Sequence, residues 1–181
     1  MKETNALQKR AGERRDPAGI NGRLTGRRHL WRVAFPDEDG WLVCKAFNEE
    51  AIAEILRTGD VRGMTALLSR IAEVARRRHV RLRDAADLVA LLEAVLTNNL
   101  LDGADASVTE DGRMLVVTAP GVRWTIAAGF ARDRRTSPRA LLAKELAALE
   151  SLPATAQKET RIALVFSGRK QRFVRSAAAV L

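Results

Sequence analysis

The sequence predicts an α+β domain: a small mixed or antiparallel sheet with packed helices, behind a basic N-terminal tail. Three observations carry this. Residues 60–98 contain two segments whose apolar side chains recur at helical spacing, first Met64, Leu67, Leu68, Ile71, Val74 and Ala75, then Leu88, Leu91, Leu92, Val95 and Leu96. Residues 106–128 instead hold short β-rich runs cut by Asp111-Gly112 and Pro120-Gly121, both turn signals. The length, 181 residues, suits one domain with a real core.

The elements follow in order. Residues 1–28 hold eight Lys/Arg and three Asp/Glu, a net +5, and almost no large apolar side chains. They read as a disordered basic tail, and residues 29–181 as the single folded domain. HLWRVAF (29–35) and WLVCKAF (41–47) flank PDEDG and predict a hairpin around a five-residue turn. Turn chemistry accounts for the acids of PDEDG more simply than a metal site does. Asn48 is suited to cap a helix with Glu49 and Glu50 in its first turn, running to about Arg57 and stopping at Gly59. Asp60 is suited to cap the second helix, which ends in Arg76, Arg77, Arg78 and His79. Cations there complement the helix dipole, and the same three arginines are candidates for DNA contact. A third helix covers about 84–98, with Asp102-Gly103 beyond its end. ASVTE and RMLVVTA form a hairpin at Asp111-Gly112, and VRWTIAA (122–128) follows as a strand. Ser137-Pro138 gives a cap and a first-turn proline to the helix ALLAKELAALE. RIALVF (161–166) is the last clear strand. GRKQRFVRSAAAVL reads as a helix, with an apolar alternation that leaves a strand open.

Several function classes are disfavoured. No apolar run approaches a membrane span, and the first 28 residues carry no apolar signal core, so the expected location is cytoplasmic. The single cysteine, Cys44, forms no internal disulfide and suits a reducing compartment as a core residue. His29, His79 and Cys44 lie far apart, which argues against a zinc cluster. No Walker loop, G-x-G-x-x-G, G-x-S-x-G or H-E-x-x-H is present. The eight aromatics alternate with aliphatics and read as core rather than as a base-stacking platform. Arginine outnumbers lysine 25 to 6, a bias that genome composition explains, but the net charge of +9 is not fixed by codon usage. Such an excess attracts phosphate backbones without sequence preference.

Two strand-glycine-arginine junctions stand out. One is IAAGFARDRR, with Gly129, Arg132, Arg134 and Arg135. The other is ALVFSGRKQR, with Gly168, Arg169, Lys170 and Arg172. A glycine at such a turn admits φ > 0 and close approach of an anion, successive amides form a nest, and arginine grips phosphate oxygens in pairs.

The order of the segment LVALLEAVLTNNLLDGADASVTEDGRMLVVTAPGVRWTIAAGFAR (88–132) resembles the core of the ParB/sulfiredoxin fold. In that family a leucine-faced helix, here around Leu91, Leu92 and Val95, leads to a short strand and a hairpin. The last strand then enters a Gly-x-x-Arg turn that binds nucleotide or phosphate, here Gly129 to Arg132. The likeness covers about 45 of 181 residues. The chain departs from it at Phe130, where the family often has an acid. It also departs in starting the next helix at Pro138 rather than at the arginines. The sulfiredoxin cysteine is missing, as is a partition-protein helix-turn-helix. What the resemblance implies is a nucleotide hydrolase, a DNA nuclease or a small plasmid protein. The last group includes fertility-inhibition (oncogenic-suppressive) proteins that block DNA export through type IV secretion.

The resulting expectation is a DNA-acting protein, with ATPase or DNase activity as its enzymatic form and conjugation or type IV secretion components as further partners. Gly129, Arg132, Arg134 and Arg135 form the expected phosphate or ATP site, favoured over the Gly168 junction. Arg132, Glu93 and Glu110 are the catalytic candidates, and Asp102 and Asp105 are further carboxylates for Mg²⁺ or water activation. Arg76, Arg77, Arg78, Arg169, Lys170 and Arg172 are the expected DNA contacts. A non-enzymatic DNA-binding or inhibitor module is the alternative, and an interaction protein without a nucleic-acid role is the third reading.

Overall fold

Caps set the first half of the fold. In the computed structural model, which describes residues 48–181 and the backbone of 33–37 and 40–44, helix α1 spans Glu49–Thr58. The Asn48 side chain accepts from the amides of Glu50 and Ala51, and Gly59 at φ 69° closes the other end. Asp60 accepts from the Gly63 amide and opens α2 (Val61–Arg77); Asp84 accepts from the Asp87 amide and opens α3 (Ala85–Asn99). The backbone of β1 (Val33–Asp37) and β2 (Gly40–Cys44) forms an antiparallel ribbon. Its pairing reaches Asp37↔Gly40, so the connection is shorter than the five-residue turn expected from PDEDG. The tail at 1–28 and the side chain of Cys44 lie outside the described residues.

The second half is a five-stranded sheet. It comprises β3 (Asp105–Val108), β4 (Met114–Ala119), β5 (Val122–Ala131), β6 (Lys158–Ser167) and β7 (Arg172–Ala178), adjacent in that order. Glycines at φ 71° and 76°, Gly112 and Gly121, make the two turns that join β3, β4 and β5. All neighbours are antiparallel except β5 and β6, which run parallel, so α4 (Pro138–Glu150) serves as their crossover. The α+β class is as the sequence predicts. The C-terminal segment read as a helix is instead strand β7. Its alternation serves a two-residue period, and a reversal at 168–171 folds it back antiparallel on β6.

The sheet carries helices on both faces. Trp124, Ile126 and Ala128 of β5 and Ile162, Leu164 and Phe166 of β6 are buried against α1, α2 and α3. The Trp124 indole N–H donates to the Leu56 carbonyl at 3.1 Å and ties α1 to the sheet. On the other face Met114, Ala127 and Ala163 meet Leu149, with Leu142 and Leu146 beside them on α4.

Gly129 falls on that second face, and its expected role is corrected here. Strand β5 continues to Ala131, so Gly129 is a strand residue paired with Val165 and not a turn residue; it is absent from the glycines at positive φ. A Cβ there would stand 3.4 Å from Leu141 Cβ and from Glu145 Cγ. The missing side chain lets α4 lie close to the sheet. The continuous pairing with β6 outweighs the local tendency of glycine to end a strand.

The far end of α4 is fixed by charge. The Arg161 side chain is 4% exposed and donates to the carbonyls of Leu149 (2.9 Å), Leu152 (3.2 Å) and Pro153 (2.7 Å). It thereby satisfies acceptors that a helix C-terminus leaves over. Arg161 also donates to Glu159 at 2.8 Å, and the Thr125 hydroxyl donates to the other Glu159 oxygen at 2.8 Å. Burial pushes the Glu159 carboxyl up. The Arg161 and Thr125 hydrogen bonds and the Arg161 charge outweigh that, so it is held below its ordinary value of 4.5.

Two predictions follow from this packing. Gly129→Val should destabilise the domain by about 1–3 kcal/mol by overpacking against α4, measured by urea unfolding monitored by circular dichroism. A destabilisation below a few tenths of a kcal/mol would show that α4 shifts freely. The Glu159 contribution to stability is present above pH 4.5 and is lost as pH falls below that value through the depressed folded-state pKa. Glu159→Gln should therefore cost stability at neutral pH and flatten the acid limb of the stability–pH curve; an unchanged limb would refute this assignment.

Candidate functional site

The parallel pair brings the two glycine-arginine junctions together. The last register pair of β5 and β6 is Ala131↔Ser167, and the Gly168 amide donates to the Ala131 carbonyl at 2.8 Å. The segments that leave these strands, 132–136 and 168–171, are therefore neighbours. In α/β sheets the carboxyl ends of parallel strands are where ligand crevices form.

A cleft of about 400 Å³ lies between the two segments, lined by Asp133, Arg134, Arg169, Lys170 and Arg175, with Pro138 at the start of α4. A second, of about 490 Å³, opens toward the α2–α3 linker and is lined by Arg81, Arg83, Phe130, Arg132 and Gly168. A third continues the surface to the end of α2, where Arg76 meets Lys170, Gln171 and Arg172.

The backbone at these turns is already engaged, which corrects the expected anion nest. In the first turn the Asp133 carboxylate accepts from the amides of Arg135 (2.8 Å) and Thr136 (3.2 Å), so the chain supplies its own anion. In the second, Gly168 donates to Ala131, Lys170 to the Ser167 hydroxyl and Gln171 to the Ser167 carbonyl. Gly168 is not at positive φ; its lack of Cβ makes room for Phe130, whose Cε1 would lie 2.6 Å from such an atom. The cationic side chains at these turns are exposed and available to a ligand.

Their pairing separates two groups. Arg77 is held by Glu73 at 2.6 Å and Arg83 by Asp87 at 3.0 Å. The hydrogen bond from Arg83 is the main reason Asp87 is held below the usual carboxylate range. Arg78 is half-buried and has a partner. By contrast Arg132, Arg134, Arg169, Lys170, Arg172 and Arg175 are exposed and make no ion pair among the described residues, and the same holds for Arg76 and Arg81. Arg135 is exposed but borders none of the three clefts.

The carboxylates expected beside Arg132 do not line its cleft. Glu93 lies nine residues into α3 from Asp84, about 13 Å along the helix from the Arg132 cleft. Glu110 sits in the β3–β4 turn, at the same end of the sheet as the carboxyl end of β5 but one strand away from it. Asp105 pairs with Thr118 and Thr118 with Arg123, which places Asp105, with Asp102 just before it, at the opposite end of β5. Among the described residues no three His, Cys, Asp or Glu side chains come together.

Sequence reasoning missed Arg81, Phe130, Gln171 and Arg175. Arg175 was hidden by reading β7 as a helix. The others needed contacts across 89 positions in the case of Gln171, which no local pattern signals. Compared with known proteins, the chain matches no family model and no curated protein.

Proposed function

We propose that this protein binds nucleic acid, with DNA as the expected partner, through phosphate contacts at the basic end of its sheet. One observation carries the reading. Six exposed arginine and lysine side chains, unpaired among the described residues, converge around the carboxyl ends of β5 and β6 from two chain segments. Arginine forks and a lysine suit phosphate oxygens, and such a surface binds backbones without reading bases. The hydrolytic form of the reading, with ATP or Mg²⁺, requires carboxylates beside the phosphates; Glu93 and Glu110 line neither cleft, whereas Asp133 and Asp84 each line one. We take binding without hydrolysis as the form to test first. Interference with conjugative or type IV secretion DNA transfer, which the ParB/sulfiredoxin likeness implies, is the process in which we would look for its role.

The test is a salt titration of DNA binding. Wild type should lose affinity steeply as salt rises. The triple variant Arg169→Ala, Lys170→Ala, Arg175→Ala should lower the slope of log affinity against log salt by about 2–3, since each phosphate contact contributes ~0.9. A slope that the triple variant leaves unchanged would remove this surface from binding. ATP hydrolysis or Mg²⁺-dependent cleavage in wild type, abolished by Arg132→Ala, would favour the hydrolytic form instead.

A further inference from the structure

The cleft beside Arg132 differs from the rest of the basic end in having an aromatic ring in its wall. Trp124 and Phe166 are buried, but Phe130 is only partly so. Its ring lies against Phe166, with centroids 5.5 Å apart and planes at 29°, and its edge reaches over the Cβ-free Gly168. These two supports fix the ring where it borders the cleft with Arg81, Arg83 and Arg132 around it.

The opposite wall is held as firmly. The Leu82 amide donates to Gln171 Oε1 at 2.9 Å, and Gln171 Nε2 donates to the Leu82 carbonyl at 2.9 Å and to the Gly168 carbonyl at 2.6 Å. One side chain thus pairs with both backbone groups of the residue between Arg81 and Arg83. Gln171 does so from φ 52°, a conformation non-glycine residues rarely adopt and one that persists only where surrounding contacts impose it. The linker carrying Arg81 is therefore set at a fixed distance across from Phe130.

We propose that this cleft takes an unpaired base of a single-stranded nucleic acid, stacked on Phe130, with Arg81 and Arg132 on the flanking phosphates. The inference rests on the reading of the basic end as a nucleic-acid surface and names the form of nucleic acid it prefers. A ring recessed among arginines is out of reach of bases stacked inside a duplex, whereas a single strand can turn one base toward it. Aromatic stacking combined with a cationic track is how single strands are held without sequence reading. A free nucleotide offers the same pairing of ring and phosphate, so the test separates the two sources.

Binding of the full chain to a fluorescein-labelled thymidine homopolymer, and to the same strand in duplex, is measured by anisotropy at one salt concentration. Wild type should bind the strand more tightly than the duplex. Phe130→Leu should weaken strand binding about ten-fold while changing duplex binding little, and Phe130→Trp should retain the strand preference. Arg81→Ala, at an exposed position unpaired among the described residues, tests the same cleft where Phe130→Leu fails to fold; it should lower the salt slope on the strand by about one and leave the duplex slope unchanged. Equal losses on strand and duplex, or no loss, would make Phe130 a core residue and overturn the proposal. Displacement of the strand by thymidine monophosphate at comparable concentration would make the cleft a small-molecule site and overturn it too. Absence of binding to both strand and duplex would overturn the wider nucleic-acid reading, and this one with it.

Discussion

The arrangement of this domain depends on the parallel pairing of β5 with β6, continuous from Val122↔Lys158 to Ala131↔Ser167. Parallel neighbours cannot be joined by a tight turn, so the chain must cross over, and α4 is that crossover. Parallel neighbours also end on the same side of a sheet. Two arginine-bearing segments more than thirty residues apart in sequence thereby leave the sheet together, and β7, folding back, adds Arg175 to the same end. No local preference of either segment produces that convergence.

The structure uses arginine in two opposite ways. Arg161 is buried, and its guanidinium is spent on three carbonyls and a carboxylate. Removing one partner of such a group leaves an uncompensated buried charge, and both terminal nitrogens of the guanidinium are accordingly hydrogen-bonded. The arginines at the sheet end are in water, where a cation costs little and stays free to meet a ligand. Composition alone does not distinguish these uses, since both raise the net charge equally; the difference lies in which carboxylates come within reach.

Much of the fold was legible in the sequence where the physics is local. Asn48, Asp60 and Ser137 cap helices as their side chains suggest, and Gly59, Gly112 and Gly121 adopt the positive φ that their turn positions call for. The residues that failed are those whose role is set by a distant neighbour. Gly129 looks like a turn but is a point of approach for α4. The segment after Gly168 has composition suited to a helix, and only β6 makes it a strand. Of the candidate site, the two basic junctions were visible, but their adjacency was not. Residues 85–131 run as helix α3 followed by the three antiparallel strands β3, β4 and β5, and Gly129 has a packing role in the last of them.

Strand order in the sheet follows strand order in the chain, β3 through β7. In such a sheet each strand covers the edge that the one before it leaves. The first three strands are joined by short turns, β6 follows the α4 crossover, and β7 forms the last edge. The basic end draws on the tip of β5, the turn after β6 and the body of β7, so it is complete only when the final edge is closed. A chain interrupted before β7 would expose a long, apolar β6 edge open to pairing with other chains, and would lack Arg172 and Arg175. Competence of this surface and protection of the sheet from self-association thus depend on the same strand.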